Sequence, residues 1–288
     1  MPTALLLALT LIGQGPAKAK VDPDQFPLAL HRSMEIDDLD REIQRLHDSV
    51  LQKRARLAAS QRLAERGILS RADLVAETAS VRLDEAREAE SIAYRALKLY
   101  ERDVLGHAAP PDEVKAYALL LDWVKKQEAI AQVDVAYREF LVRQSRNLYQ
   151  RKAISLQELE DDELNLTMSQ ASVALSRSRQ AQVAVELAAR KGEKAYEPAE
   201  FARLRTEYLK ARVRYFEITA ELAHRRLDLA RDRSRRGLIP PNEIALFRKG
   251  ADDADASLDE ARKTLEVPDP DPTPARTPPP RTSSDHPS

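Results

Sequence analysis

Gly67-Ile68-Leu69-Ser70, followed by Asp73-Leu74, decides how this chain is read. The stretch returns as Ala153-Ile154-Ser155 with Glu158-Leu159, and again as Gly237-Leu238-Ile239-Pro240 with Glu243-Ile244. The spacing is regular, 155 − 70 = 85 and 240 − 155 = 85. Fixed-period self-similarity marks one supersecondary unit per repeat. Each copy ends one helical pattern and starts another, so the reading is three tight helix-to-helix turns.

Before the first turn, Ile36, Leu39, Ile43, Leu46, Val50 and Leu57 recur at heptad spacing, with Lys53 interrupting the seam. This predicts a helix from about Ser33, a plausible N-cap, to about Arg66. Gly67 can take the left-handed conformation that closes a helix cheaply. Ser70 with Asp73 resembles a capping box that opens a second helix. That helix carries Ala72, Ala76, Ala79, Leu83, Ala86, Ala93, Leu97 and Tyr100 on its seam, and Glu90 among them. An Ala-rich seam lets helix axes approach closely and favours extended packing. Leu105–Asp112, with Gly106, Pro110 and Pro111, reads as the far loop.

A third helix (about Pro111 to Arg151) holds Val114, Tyr117, Leu121, Val124, Ala131, Val135, Phe140, Leu141 and Leu148. The second turn follows, with Ser155 and Glu158 as its capping box. The fourth helix carries Leu164, Met168, Ala171, Leu175 and Val185 and ends at Arg190-Lys191-Gly192. The fifth has a clean seam of Phe201, Leu204, Tyr208, Ala211, Tyr215, Ile218, Leu222 and Leu229. Incoming helices repeat at the same shift, as in Leu39/Val124/Leu209 and Leu57/Val142/Leu227. At the third turn Pro240-Pro241 replaces the Ser cap, which a first helical turn tolerates. A shorter sixth helix carries Ile244, Phe247, Ala251, Ala254, Leu258, Ala261 and Leu265. The expected fold is all-α: six coiled-coil-like helices in three long antiparallel hairpins (33–110, 111–195 and 196–266), with no β-barrel.

Composition agrees with long helices. Only 7 Gly occur, 32% of residues are charged, and 5% are aromatic. Basic and acidic residues nearly cancel, 46 against 47, so nothing in the charge calls for nucleic acid as partner. There is no Cys, which excludes disulfides and thiolate metal sites. Ala4–Leu11 is a short apolar run, too short to span a bilayer, followed by Ala17-Lys18-Ala19. This pattern is that of a secretory signal cut after Ala19, although Met-Pro-Thr carries no Lys or Arg. Residues 20–32 read as a linker, and 267–288, with eight Pro, as an extended disordered tail. The expected location is the periplasm or outer membrane, or the cytoplasm if residues 1–19 are not a signal.

Cations gather before each turn, such as Arg62 and Arg66, Arg151 and Lys152, Arg235 and Arg236. Anions such as Asp73, Glu158 and Glu160 follow. Complementing the helix macrodipole accounts for both signs, at about 0.3–1 kcal/mol each. It leaves unexplained the density of Arg in Arg225–Arg236, for which the functional reading is bidentate docking of an acidic partner. The five His make no i, i+4 ligand pair, no phosphate-binding Gly loop or nucleophile elbow occurs, and the acidic pairs lie on solvated turns. No enzyme activity, cofactor or metal is expected.

The turn motif, a helix ending in Gly-x-x-Ser and then an acidic-Leu helix with Ala-rich spacing, resembles the periplasmic hairpins of TolC-type outer membrane efflux proteins. Arg66–Arg87 and Arg235–Leu265 carry it most closely, and Ile154–Ala174 more weakly. Hairpins of HlyD-type periplasmic adaptors share a tip pattern, Arg-x3-Leu-x6-Ser. Leu63/Ser70 and Leu148/Ser155 match its spacing, while Ala59 and Gln144 stand at the Arg position. The chain lacks the strands of a barrel, so the resemblance is to the helical tunnel part alone. It implies a non-enzymatic role in efflux transport or its assembly. Gly67, Leu69, Ser70, Ile154, Ser155, Gly237, Ile239, Arg235 and Arg236 would form tips docking a protein partner, either a periplasmic adaptor or a second copy, with membrane association at most indirect. The alternative is a coiled-coil scaffold or spacer with no transport role.

Overall fold

The computed structural model describes residues 35–266, apart from 107, 110 and 111. The expected signal, linker and tail, and the Ser33 cap, lie outside the described residues. Within them the chain is all-helical, with six α-helices and no strand. They are α1 (Ile36–Glu65), α2 (Arg71–Leu105), α3 (Glu113–Gln150), α4 (Leu156–Arg190), α5 (Pro198–Arg235) and α6 (Ile244–Glu266), the last preceded by a 3-10 turn (Pro241–Glu243).

Helix boundaries follow local chemistry. Ser70 accepts a hydrogen bond from the Asp73 N–H (3.1 Å) and so caps α2. Its hydroxyl donates to the Asp73 carboxylate (2.6 Å), so the reciprocal bond of a full capping box is absent there. Asp112 caps α3 by accepting from the Lys115 N–H (3.0 Å). α1 starts on Glu35 without a side-chain cap.

Each helix packs mainly on its neighbours in sequence. Moving up α1, partners move down α2: Asp40 with Arg95, His47 with Glu88 (2.8 Å), Lys53 with Asp84 (2.7 Å), and Arg56 with Glu77 (3.1 Å). The same reversed order joins α3 to α4 through Glu113/Arg190 (3.2 Å), Glu128/Arg177 (2.8 Å) and Arg146/Glu163 (2.8 Å). Glu217/Arg262 (3.3 Å) and His224/Asp255 (2.9 Å) do so for α5 and α6. In these three helix pairs the contacts therefore run in reversed order along the two partners.

Burial is uneven along the helices. Tyr94, Leu97, Tyr100 and Val104 of α2 join Leu39, Tyr117, Trp123, Val124 and Leu187 in the largest core cluster. On the same α2 seam Ala72, Ala76, Ala79, Leu83 and Ala86 are only half-buried. The core thus sits toward the α2–α3 loop and thins toward the Gly67 turn. Two polar positions on the seams are matched by partners across them. Lys53 and Ser49 both donate to Asp84 (2.7 Å each). Burial pushes the Asp84 carboxyl up, yet these two hydrogen bonds, with the charges of Lys53 and Arg87, outweigh it and hold its pKa below the usual value. Glu90 accepts the indole N–H of the buried Trp123 at 2.6 Å, which makes a carboxylate tolerable in an apolar seam.

The structure corrects some seam assignments. Phe247 and Leu148, expected in the core, are exposed, and in α5 Leu227 and Ala230 are buried where Leu229 is half-buried. Phe247 and Leu148 lie near turns, beyond the end of the thick core. On this distribution, Trp123→Ala lowers unfolding stability by about 3–5 kcal/mol in urea titrations, whereas Ile92→Ala, at a half-exposed site, changes it by less than about 0.5 kcal/mol.

Candidate docking surface

Three turns share one backbone device. Gly67 (φ 72), Lys152 (φ 59) and Gly237 (φ 71) are left-handed, at steps of 152 − 67 = 85 and 237 − 152 = 85. In each, the left-handed residue's N–H bonds three residues back, as Gly67 to the Ala64 carbonyl (2.9 Å), and the next N–H reaches five back, as Ile68 to Leu63 (2.9 Å). Lys152/Tyr149 (2.8 Å), Ala153/Leu148 (2.8 Å), Gly237/Ser234 (2.9 Å) and Leu238/Arg233 (2.9 Å) reproduce the pattern. This double closure satisfies carbonyls that a helix C-terminus leaves orphaned. The left-handed residue of the second turn is therefore Lys152, one position before the Ala153 that opens the sequence motif. Gly192 (φ 72) closes α4 the same way, but Gly106 (φ −81) does not close α2 so. The two loops at that end are built differently.

Past the closure the second turn carries the complete capping box. Glu158 N–H donates to Ser155 Oγ (3.2 Å), and the Glu158 carboxylate accepts from Ser155 N–H (2.8 Å). The Ser155 backbone bond, then its hydroxyl, hold the Glu158 carboxyl below its ordinary range.

The expected tip residues divide by exposure. Gly67, Ser70, Ser155 and Gly237 are exposed, while Leu69, Ile154 and Ile239 are half-buried on the inner side of their turns. Arg235 is exposed and paired with Asp232 (3.4 Å); Arg236 is exposed with no ion-pair partner among the described residues. Sequence reasoning passed over Ile68 (69% exposed) and Leu238 (68% exposed), the residues just after the left-handed position. Of ten exposed large hydrophobic residues among those described, eight lie at the turns: Leu63 and Ile68; Leu148, Tyr149 and Leu156; Leu238, Leu246 and Phe247. Only Leu51 and Ile92 lie on the shafts, so the apolar exposure belongs to the turns. A reading of apolar residues off the heptad seam could have found Ile68 and Leu238, but not Leu148 and Phe247, which fit it.

The opposite end is closed on itself. Tyr100 OH accepts from Asp112 N–H (2.6 Å) and donates to the Asp112 carbonyl (2.8 Å), fastening the α2–α3 loop. Arg190 stacks on Tyr117 with its guanidinium 3.9 Å from the ring centre and pairs with Glu113. Burial and the Glu186 carboxylate push the Tyr117 phenol far up, so it stays protonated.

Among the described residues no group of three His, Cys, Asp or Glu side chains is placed to hold a metal ion, and no helix is long and apolar enough to cross a membrane. A shallow cavity of about 280 Å³ at the third turn is lined by Arg231, Ser234, Arg235 and Ile244. No protein-family model matches this chain, and no curated protein or solved structure matches it either.

The turns can be tested through their backbones. Lys152→Gly relieves a left-handed conformation that an L side chain resists and raises unfolding stability by about 1 kcal/mol. Gly67→Ala and Gly237→Ala, with open space around a new Cβ, lose about 1 kcal/mol each on backbone grounds alone. Both are read from urea unfolding followed by circular dichroism. Because the depressed Glu158 contributes above its unfolded pKa and loses that contribution as pH falls through the folded value, Glu158→Gln is destabilising at neutral pH. Its deficit against wild type closes on acidification.

Proposed function

We propose that this chain is a non-enzymatic docking protein, built as three helical hairpins in series on an 85-residue repeat, that engages a protein partner through the turns of the hairpins. The observation that carries the reading is the gathering of exposed hydrophobic residues at Gly67, Lys152 and Gly237 while the opposite loops are fastened by Tyr100 and Arg190. Exposed apolar patches ringed by polar residues are a mark of interaction sites.

Several contacts support the repeat. Leu39, Val124 and Leu209, each 85 residues from the next, are all buried. The Ser49–Asp84 hydrogen bond between α1 and α2 recurs between α3 and α4 as Asp134–Ser169, with donor and acceptor exchanged. Arg54–Glu85 recurs two repeats later as His224–Asp255. With neighbours antiparallel, all three turns fall at one end, and the Arg225–Glu160 pair (3.6 Å) brings the third beside the second.

The turn motif's likeness to the helical part of TolC-type efflux components supplies the context: an exported envelope protein acting in efflux transport or its assembly, with a periplasmic adaptor or a second copy as partner. A spacer without transport role is favoured instead by the charge pairs spread along the shafts, which stiffen a rod whatever its ends do. Photo-cross-linking in intact host cells separates the two. A benzophenone side chain at Ile68, Leu156 or Leu238 is expected to capture the same transport component, and one at Glu193 none. Equal capture from Glu193, or none from any turn, rejects docking; a full-length uncleaved chain in the cytosolic fraction rejects the envelope location.

A further inference from the structure

The three turns are not electrostatically alike. At the third, Arg233, Arg236, Arg248 and Lys249 are exposed and have no side-chain partner among the described residues. Of the nearby acids, Asp228 is engaged by Arg231 (2.9 Å) and Asp232 by Arg235 (3.4 Å), while Glu243 at the turn and Asp252 and Asp253 one helical turn further on are exposed. Dipole complementarity at the end of α5 explains cations up to Arg236 but not Arg248 and Lys249, which follow the start of α6, where a helix favours anions. Leu238, Leu246 and Phe247 stand exposed among these cations, and the cavity between Ser234 and Ile244 opens beside them. The second turn differs. Glu158, Glu160, Asp161, Asp162 and Glu163 crowd the start of α4, and Glu160 reaches across to Arg225.

We propose that the third turn is the anchoring point, and that it takes an acidic segment of a partner protein carrying apolar side chains between its carboxylates. Carboxylates would bridge Arg233, Arg236, Arg248 and Lys249, while the apolar side chains cover Leu238, Leu246 and Phe247. Arg is suited to this because its planar fork binds carboxylates in a bidentate manner. An anionic bilayer is the poorer match: a flat surface meeting the third turn would also meet the acids of the second, which it repels, whereas a peptide segment can address one turn alone. A second copy docked turn to turn would set like charges face to face. The inference rests on the docking reading above and narrows it to one turn and one chemistry.

The test uses the full-length protein. A random peptide library is panned on wild type, with Arg233→Glu/Arg236→Glu/Arg248→Glu for counter-selection, and binding of the recovered, fluorescein-labelled peptides is measured by anisotropy. Recovered sequences are expected to alternate Asp or Glu with Leu, Ile or Phe, and to lose affinity about tenfold or more on the triple charge reversal. Arg62→Glu/Arg66→Glu at the first turn is expected to change affinity less than about twofold, and circular dichroism checks that both variants keep their helices. Leu238→Ser, which leaves the charge intact, should also weaken binding. Sequences without acidic enrichment, or equal loss from reversal at the first turn, overturn the proposal. So does binding to mixed phosphatidylcholine–phosphatidylserine vesicles with no recovered peptide. Strong loss from the first-turn variant alone would leave turn docking standing and reject only the assignment to the third.

Discussion

Leu39, Val124 and Leu209 are fully or almost fully buried, yet the helices that carry them bury little more than a stripe. A helix with so narrow a seam cannot be stable alone, because the entropy of ordering its residues outweighs what one stripe of side chains returns. It must lie along a neighbour for most of its length. Lying along the next helix in sequence is the arrangement that demands the shortest connections, and the chain provides them with segments of five residues (66–70, 151–155 and 236–240) and seven residues (106–112 and 191–197). The packing, the tight turns and the direct adjacency of consecutive helices all descend from that need.

The side chains at the three left-handed turns differ from those around Tyr100 and Arg190. Toward Tyr100 and Arg190 the seam residues are large, the core is thick, and the loop is tied by hydrogen bonds from a phenol. Toward Gly67 the α2 seam shrinks to half-buried alanines, whereas Val142 and Leu159 near Lys152 and Leu227 and Ala230 near Gly237 stay buried; at all three turns backbone closure stops the incoming helix. A thin core at the turns leaves apolar residues with nothing of their own chain to cover them. The Arg excess of the third turn adds a sign to that exposure. On the docking reading proposed above, stability and recognition are separated along one axis.

Much of the architecture can be read from the residues. The heptad spacing of Leu39, Leu46 and Val50 fixes a helix and its buried face, and Gly67-x-x-Ser70 with its looser copies ending at Ser155 and Pro240 marks where helices stop. What escapes is whatever depends on a partner across the seam. Lys53 and Glu90 look like interruptions until Asp84 and Trp123 are seen opposite them. Phe247 fits the heptad and is still exposed, because periodicity reports a face and not how deep the core runs beneath it. Lys152 was hidden for another reason: a left-handed Lys costs free energy, so no residue preference announces it, and only its register with Gly67 and Gly237 does. The candidate surface was legible as a location, through Gly67, Ser155 and Gly237. Its chemistry was not, since exposure of Ile68 and Leu238 and the unpaired state of Arg233 and Arg236 are properties of the folded chain.

Contacts made mainly between sequence neighbours also govern how such a molecule comes into being. No pairing here has to wait for a distant part of the chain, so the loop-closure entropy met at each step is that of a short turn. Folding with mostly local contacts is fast, and each helix can dock as soon as the next one leaves the ribosome. The same locality lets a chain of this kind gain or lose a unit of two helices at either edge while the remaining interfaces stay intact. Length is thus a variable that evolution can alter without rebuilding a core.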